Sequence, residues 1–251
     1  MSFDHRPPWP YPLWIAHRGA GKLAPENTLV AFRLGAQQGY KAFECDVKLS
    51  ADGVPFLLHD ATLMRTTDGH GAAGDLDWLA LAALDAGSWH SPAFAGERLP
   101  TLEAIAEFVQ AHGHALNIEI KPTPGTDAQT GRAVAQEVLR LWADQALPPL
   151  LSSFSPDALR AARDVAPRLP RAMLLDALAP NWLALAQSLG CAAVVTQFRL
   201  MDATLIARIH TAGMRALVYT VNDAAEAQRL LAIGIDGIIT DAVDRFTPAA
   251  N

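Results

Sequence analysis

The chain has 251 residues, 51% of them hydrophobic and 18% charged, with a formal net charge of −6. That balance describes a soluble globular protein and excludes a disordered chain or a membrane protein. No Lys/Arg block offers a surface that could track phosphates, so no nucleic-acid partner is expected, and an anionic ligand needs a local positive site such as a metal ion.

The first residues, Met1 to Pro8, lack a basic stretch followed by an apolar run, so no signal peptide is read there. No apolar segment approaches the roughly 18 residues of a membrane span, so stable membrane insertion is not expected. Cys45 and Cys191 stand far apart with no CxxC, which suits a reduced, cytoplasmic enzyme. A first strand is predicted over Leu13–His17. Pro25-Glu26-Asn27-Thr28 then opens a helix, with Asn or Thr as cap and Glu26 and Asn27 placed to brace the loop carrying His17 and Arg18. A second strand covers Ala42–Val47.

From there to about Pro100 no strand–helix unit is found. Ser50-Ala51-Asp52-Gly53 is a tight turn, Val54–Asp60 a returning strand, and His70-Gly71-Ala72-Ala73-Gly74 a Gly-rich stretch. Residues of about 48–100 are therefore expected to form a small insertion over one end of the fold. Beyond it the rhythm is regular. Apolar strands are predicted at Leu116–Ile120, Leu150–Phe154, Arg171–Leu175, Ala193–Thr196, Ala216–Val221 and Gly237–Thr240. Helices lie between them at about 128–144, 156–165, 180–189, 202–212 and 223–233, with Ser155, Asp202 and Asn222-Asp223 at their starts. Near-continuous apolar strands separated by helices mean a parallel sheet buried on both faces. Eight of them in a chain of this length favour a closed (β/α)8 TIM barrel, one domain over 1–251 with the insertion after its second strand, over an open doubly wound sheet.

Glu44 and Asp46 are two apart on a strand and share a face, whereas Cys45 points the other way. An isolated Glu-x-Asp is commonest on an exposed strand with its acids in water. Asn117-Ile118-Glu119-Ile120-Lys121 changes the balance, because it puts Glu119 and Lys121 on one face of the next barrel strand. Residues at the C-terminal ends of barrel strands converge on one mouth, so Glu44, Asp46 and Glu119 can meet as three oxygen ligands for one hard divalent ion, Mg2+ or Ca2+. His17 ends the first strand and His59 the returning one. With Asp52-Gly53 as a two-residue turn, His59 falls opposite Asp46; with a Ser50–Gly53 loop it faces Glu44; a three-residue loop turns it away. Two histidines beside a metal site are natural acid–base candidates. Arg18 and Lys121 add positive charge to the same mouth. His5, His70, His90, His112, His114 and His210 fall in predicted loops or on helix surfaces, with no role assigned.

Taken together, these segments resemble the glycerophosphodiester phosphodiesterase family, especially its short bacterial cytoplasmic members. The resemblance is carried in order by His17-Arg18-Gly19, Pro25-Glu26-Asn27-Thr28, Glu44-Cys45-Asp46-Val47, His59-Asp60, Leu84 to Trp89, Pro100 to Glu103, Glu119-Ile120-Lys121, Tyr219 to Asn222 and Asp236 to Asp241. It implies that Glu44, Asp46 and Glu119 bind one divalent ion, that His17 and His59 are the acid–base pair, and that Arg18 and Lys121 contact phosphate. The family usually carries Trp where this chain has Tyr219, a residue the resemblance puts in the pocket. The expected reaction is hydrolysis of a glycerophosphodiester to glycerol 3-phosphate and an alcohol. Two alternatives are a lysophospholipid phosphodiesterase and a non-catalytic barrel that binds phosphate esters.

Overall fold

The computed structural model describes residues 9–246 and 248, so His5 and the rest of the first eight residues lie outside it. Nine strands form one sheet: β1 Trp14–Ala16, β2 Ala42–Leu49, β3 Pro55–Leu57, β4 Ala115–Ile120, β5 Leu150–Ser153, β6 Arg171–Leu175, β7 Ala193–Gln197, β8 Arg215–Tyr219 and β9 Gly237–Thr240. Eight run parallel in the order β1-β9-β8-β7-β6-β5-β4-β2, and β1 also pairs with β2, which closes the barrel. The helices are α1 Leu29–Gln37, α2 Trp78–Leu81, α3 Leu102–Ala111, α4 Asp127–Leu141, α5 Pro156–Val165, α6 Trp182–Ser188, α7 Ala203–Thr211 and α8 Ala224–Ala232. The fold is the expected (β/α)8 barrel.

Local chemistry sets the helix starts. Thr28, Thr101, Ser155, Asp202 and Asp223 each accept a backbone N–H of the first turn, and Pro156 occupies a position where its missing N–H costs nothing. Helix α3, capped by Thr101, is absent from the helical patterns predicted above. It fills the place of the crossover helix between β2 and β4.

Alternation along the strands makes two cores. Phe43, Cys45, Val47, Ile118 and Ile120 face outward and pack with Phe32, Leu102 and Val134 from the helices. Ile15, Ala42, Ala115, Leu150, Ala172, Leu174, Ala193, Val195, Leu217 and Ile239 face inward, over Tyr11, which closes the lower end and donates from its hydroxyl to Pro148 O. Each fully buried Leu or Ile of this kind stabilises the fold by roughly 1.5–3 kcal/mol.

The excursion after β2 begins with the antiparallel pairing of β2 and β3, in the register Val47↔Leu57, Lys48↔Phe56, Leu49↔Pro55. Ser50 N donates to Val54 O, so the loop is the three-residue Ala51-Asp52-Gly53. Neither of the two registers that were expected to bring His59 to the acids is formed. The ladder stops at Leu57 instead, Leu58 N donates to Asp46 O, and the chain bends at His59 and Asp60. That bend, not strand alternation, turns His59 back toward the barrel mouth. Phe56, Leu58, Leu63, Leu81 and Leu99 give the excursion its own small core, against which Trp78 packs; Trp89 remains 39% exposed.

Candidate active site

The C-terminal ends of the eight parallel strands surround a cavity of about 240 Å3, lined by His17, Arg18, Glu44, His59, Glu119, Lys121 and Tyr219 among others. Asp46 lies just beneath this lining, with none of its surface exposed. One carboxylate oxygen each from Glu44, Asp46 and Glu119 falls within 4.8 Å of the others. That spacing is what a single hard cation with oxygen ligands at about 2.4 Å can span. Oδ1 of Asp46 is buried with no hydrogen-bond partner and has Lys121 Nζ only at 3.5 Å, so it keeps a lone pair that a metal ion would satisfy. The three residues therefore fit one divalent ion.

Charge crowding decides how these acids hold their protons. Burial, reinforced by Asp46 and Glu119, pushes the Glu44 carboxyl well above the usual range. Glu119 is pushed up to about 7 by burial and by Asp46, against the pull of Lys121. Burial would raise Asp46 as well, but Arg18, Lys121 and the amide of Asn27 outweigh it and hold Asp46 below its usual value. Three buried acids cannot all ionise cheaply without a compensating cation.

His17 directly follows β1, with Nδ1 2.5 Å from Asp241 Oδ1. The Asp241 carboxyl, lifted by burial, is drawn down to about 2 by its bond to His17, so it is an acceptor and Nδ1 carries the proton. Nε2 accepts from Arg18 Nε at 3.2 Å and lies 3.7 Å from Glu44 Oε2. The tautomer thus follows from the network. Asn222 donates to Asp241 Oδ2 and receives the Asp241 N–H, which fixes the carboxylate. The loop after β1 approaches closely enough that a Cβ on Gly21, at φ +56°, would lie 2.1 Å from Asp241 O.

His59 repeats the arrangement from the other side, with Nδ1 2.7 Å from Asp60 Oδ1. Hydrogen bonding from Arg65 holds Asp60 well below the usual carboxylate range. Burial lowers His59 itself, more than Asp46 and Asp60 raise it. Arg65 also reaches Glu26 with two bonds of 2.8 Å, and Glu26 accepts Arg18 Nη1 at 2.7 Å. A continuous chain of charge pairs therefore joins His59 to Arg18 through Asp60, Arg65 and Glu26.

Arg18 has φ 52°, a left-handed conformation costly for a side chain of that size, and its backbone N–H is directed at Glu44 Oε2 at 3.2 Å. Asn27, also left-handed at φ 58°, donates to Asp46 Oδ2 and receives the Asp46 N–H. Glu26 and Asn27 do brace this loop, but each does so by gripping a charged site residue. Both expected cations are held by acids: Lys121 Nζ lies 2.9 Å from Glu119 and 3.5 Å from Asp46, and Arg18 Nε 3.2 Å from Asp46. Beside Lys121 the ammonium of Lys48, 2% exposed, donates to Lys121 O, and burial with the nearby Lys121 charge lowers it to about 8. The Tyr219 ring stands edge-on to Phe154, and its hydroxyl donates to Leu175 O.

All eight residues singled out in the sequence thus meet at this mouth. Those missed are Asp241, Asp60, Arg65 and Asn222, which hold the histidines. Asp241 had a visible signal: it continues the inward parity of Ile239 on β9. Asp60 reads only as the end of the returning strand, and Arg65 lies in a stretch without periodicity. Of the histidines given no role, His114 is not on a surface; it is 8% exposed, stacks on His112 and lies tilted against Phe43.

The sequence model of the glycerophosphoryl diester phosphodiesterase family matches residues 17–245. The chain belongs to this family. It is 32% identical over 234 residues to a glycerophosphodiester phosphodiesterase of Caldanaerobacter subterraneus, with 91% of this chain and 93% of the relative covered. A solved phosphodiesterase of Oleispira antarctica, in complex with its product sn-glycerol-3-phosphate, superposes with a TM-score of 0.87 at 36% identity, over 94% of this chain and 95% of that one. A glycerophosphodiester phosphodiesterase of Agrobacterium tumefaciens gives 0.77 at 30% identity, covering 93% and 97%. The family member described here is accordingly an enzyme acting on glycerophosphodiesters, which sets aside the non-catalytic barrel. Among the described residues no helix is long and apolar enough to cross a membrane.

Proposed function

We propose that the enzyme hydrolyses glycerophosphodiesters to glycerol 3-phosphate and an alcohol, with one divalent cation, Mg2+ or Ca2+, held by Glu44, Asp46 and Glu119. The observation that carries this is the meeting, at one mouth, of three buried acids with two histidines that each have a carboxylate behind them. When bound, the cation supplies Lewis-acid stabilisation of charge on the phosphoryl oxygens.

The protein's own groups do the rest. His17, with its proton on Nδ1, offers a lone pair at Nε2 and takes a proton from the nucleophile, either water or a hydroxyl of the substrate's glycerol. His59, as the imidazolium with Nδ1–H donated to Asp60, gives its Nε2 proton to the leaving alkoxide and is left neutral. Asp241 and Asp60 hold the two rings in orientation and stabilise the imidazolium form of each. Arg18 and Lys121 turn from their carboxylate partners to phosphate oxygens, the guanidinium as a two-pronged donor and the ammonium as a point charge. Phe154 and Tyr219 wall the side that takes the alcohol, where Tyr replaces the larger Trp. Cys45 and Cys191, both buried and unpaired, suit a reducing cytoplasm.

Turnover of sn-glycero-3-phosphocholine and of lysophosphatidylcholine, each with EDTA and after return of Mg2+ or Ca2+, tests the proposal. Glycerol 3-phosphate released from the deacylated substrate, abolished by EDTA and restored by the ion, is the expected result. Activity untouched by EDTA, or confined to the lysolipid, overturns it.

A further inference from the structure

Inside the barrel, beside the ring of charges, lie two polar side chains that the proposed chemistry does not use. Asn117 on β4 is the register partner of Glu44, and Ser152 on β5 is the register partner of Glu119, so both point inward among the acids. Both line the cavity. Asn117 is 4% exposed and Ser152 is fully buried. Yet neither the oxygen nor the nitrogen of the Asn117 carboxamide has a hydrogen-bond partner, and the Ser152 hydroxyl has none.

Buried polar groups left unpaired cost free energy, and a carboxamide with both ends free is unusual in a folded core. An apolar residue of similar size at either position would remove that cost. The same cavity also has aliphatic lining, Leu174 on the neighbouring strand β6 and Ile239 on β9 across the barrel. A floor with one amide donor, one amide acceptor and one hydroxyl, faced by aliphatic carbon, matches a short polyol lying with its hydroxyls down and its C–H groups against the wall. It does not match an acyl chain, which would leave all three polar groups dry and unpaired.

We propose that Asn117 and Ser152 form the subsite that recognises the free hydroxyls of the glycerol moiety, and so select deacylated glycerol phosphates. The carboxamide oxygen accepts from one hydroxyl, its NH2 donates to the neighbouring oxygen, and Ser152 supplies the third bond. This rests on the function proposed above only in taking the ligand to be a glycerol phosphate.

The test is equilibrium binding, in the presence of Mg2+ or Ca2+, of sn-glycerol 3-phosphate and of n-propyl phosphate, which has the same carbon chain without hydroxyls. The wild-type enzyme should prefer glycerol 3-phosphate at least about tenfold. Asn117→Leu and, as the gentler change, Ser152→Ala should each shrink that ratio several-fold toward one while affinity for propyl phosphate holds. A wild-type ratio near one, a ratio unchanged in both variants, or equal weakening of the two phosphates overturns the proposal. Binding does not require turnover, so an enzyme that fails to hydrolyse glycerophosphodiesters yet prefers glycerol 3-phosphate would refute the proposed reaction and leave this subsite standing.

Discussion

The two ends of the barrel interior are built from the same strands and could hardly differ more. Toward the N-terminal ends the inward positions are Ile15, Ala42, Ala115, Leu150, Ala193 and Leu217, all buried and capped by Tyr11. A few residues further along the same strands the inward positions become His17, Glu44, Asp46, Glu119 and Lys121. One end gains stability from burial; the other spends part of it on acids held in a low-dielectric pocket. Stability and chemistry are thus separated along the strand axis, and each can be perturbed without the other.

The sharpest cut is at the histidines. His17→Ala and His59→Ala should each lower kcat by about 10^2 to 10^4-fold with little change in thermal midpoint, measured by steady-state turnover alongside calorimetry. Full activity in either variant would remove that histidine from the chemistry. The converse cut is Leu217→Ala in the lower core, which should cost about 2–5 kcal/mol in denaturant unfolding and leave kcat within a few-fold. A collapse of kcat in a folded Leu217→Ala enzyme would mean that the two ends are not separable.

A third change tests the cost of the upper layer directly. The Glu119 carboxyl sits at about 7 in the folded protein, above its ordinary value near 4.5. A raised carboxyl contributes stability that is present below about 4.5 and is lost as pH climbs through about 7. In EDTA, Glu119→Gln should therefore gain on the wild type by about 1–3 kcal/mol between pH 5 and pH 8, read from urea midpoints. With Mg2+ or Ca2+ present the order should reverse if Glu119 is one of the proposed ligands, because the variant lacks it. A gap that does not change with pH would show that Glu119 is not the strained group. The smallest effect is expected at Arg65→Gln, which breaks the chain between Asp60 and Glu26: roughly a tenfold fall in kcat, with KM and midpoint nearly constant, since this arginine orients His59 and is itself half exposed.

Much of this separation is written in parity. Glu44 and Asp46, then Asn117, Glu119 and Lys121, alternate with apolar residues, and a period of two suffices to send them inward together. Barrel closure then converts position along the strand into position at the mouth. His59 was a different matter. Its side of the hairpin depends on a single residue of loop length, and the three-residue loop is the one that alternation alone would have counted against it. The bend after Leu58 depends on tertiary packing of the excursion, for which the sequence carries no period. The carboxylates behind the histidines were hidden for two reasons. Asp60 reads as the end of a strand, and Asp241 is separated from its partner by almost the whole chain.

That last separation has a consequence for biosynthesis. His17 and Asp241 are 224 residues apart, and β1 finds its second neighbour only when β9 arrives. Until then a nascent chain holds His17 without the carboxylate that sets its proton. Hydrolysis should therefore switch on only as the final strand docks, so the appearance of activity during refolding would time the closing of the barrel.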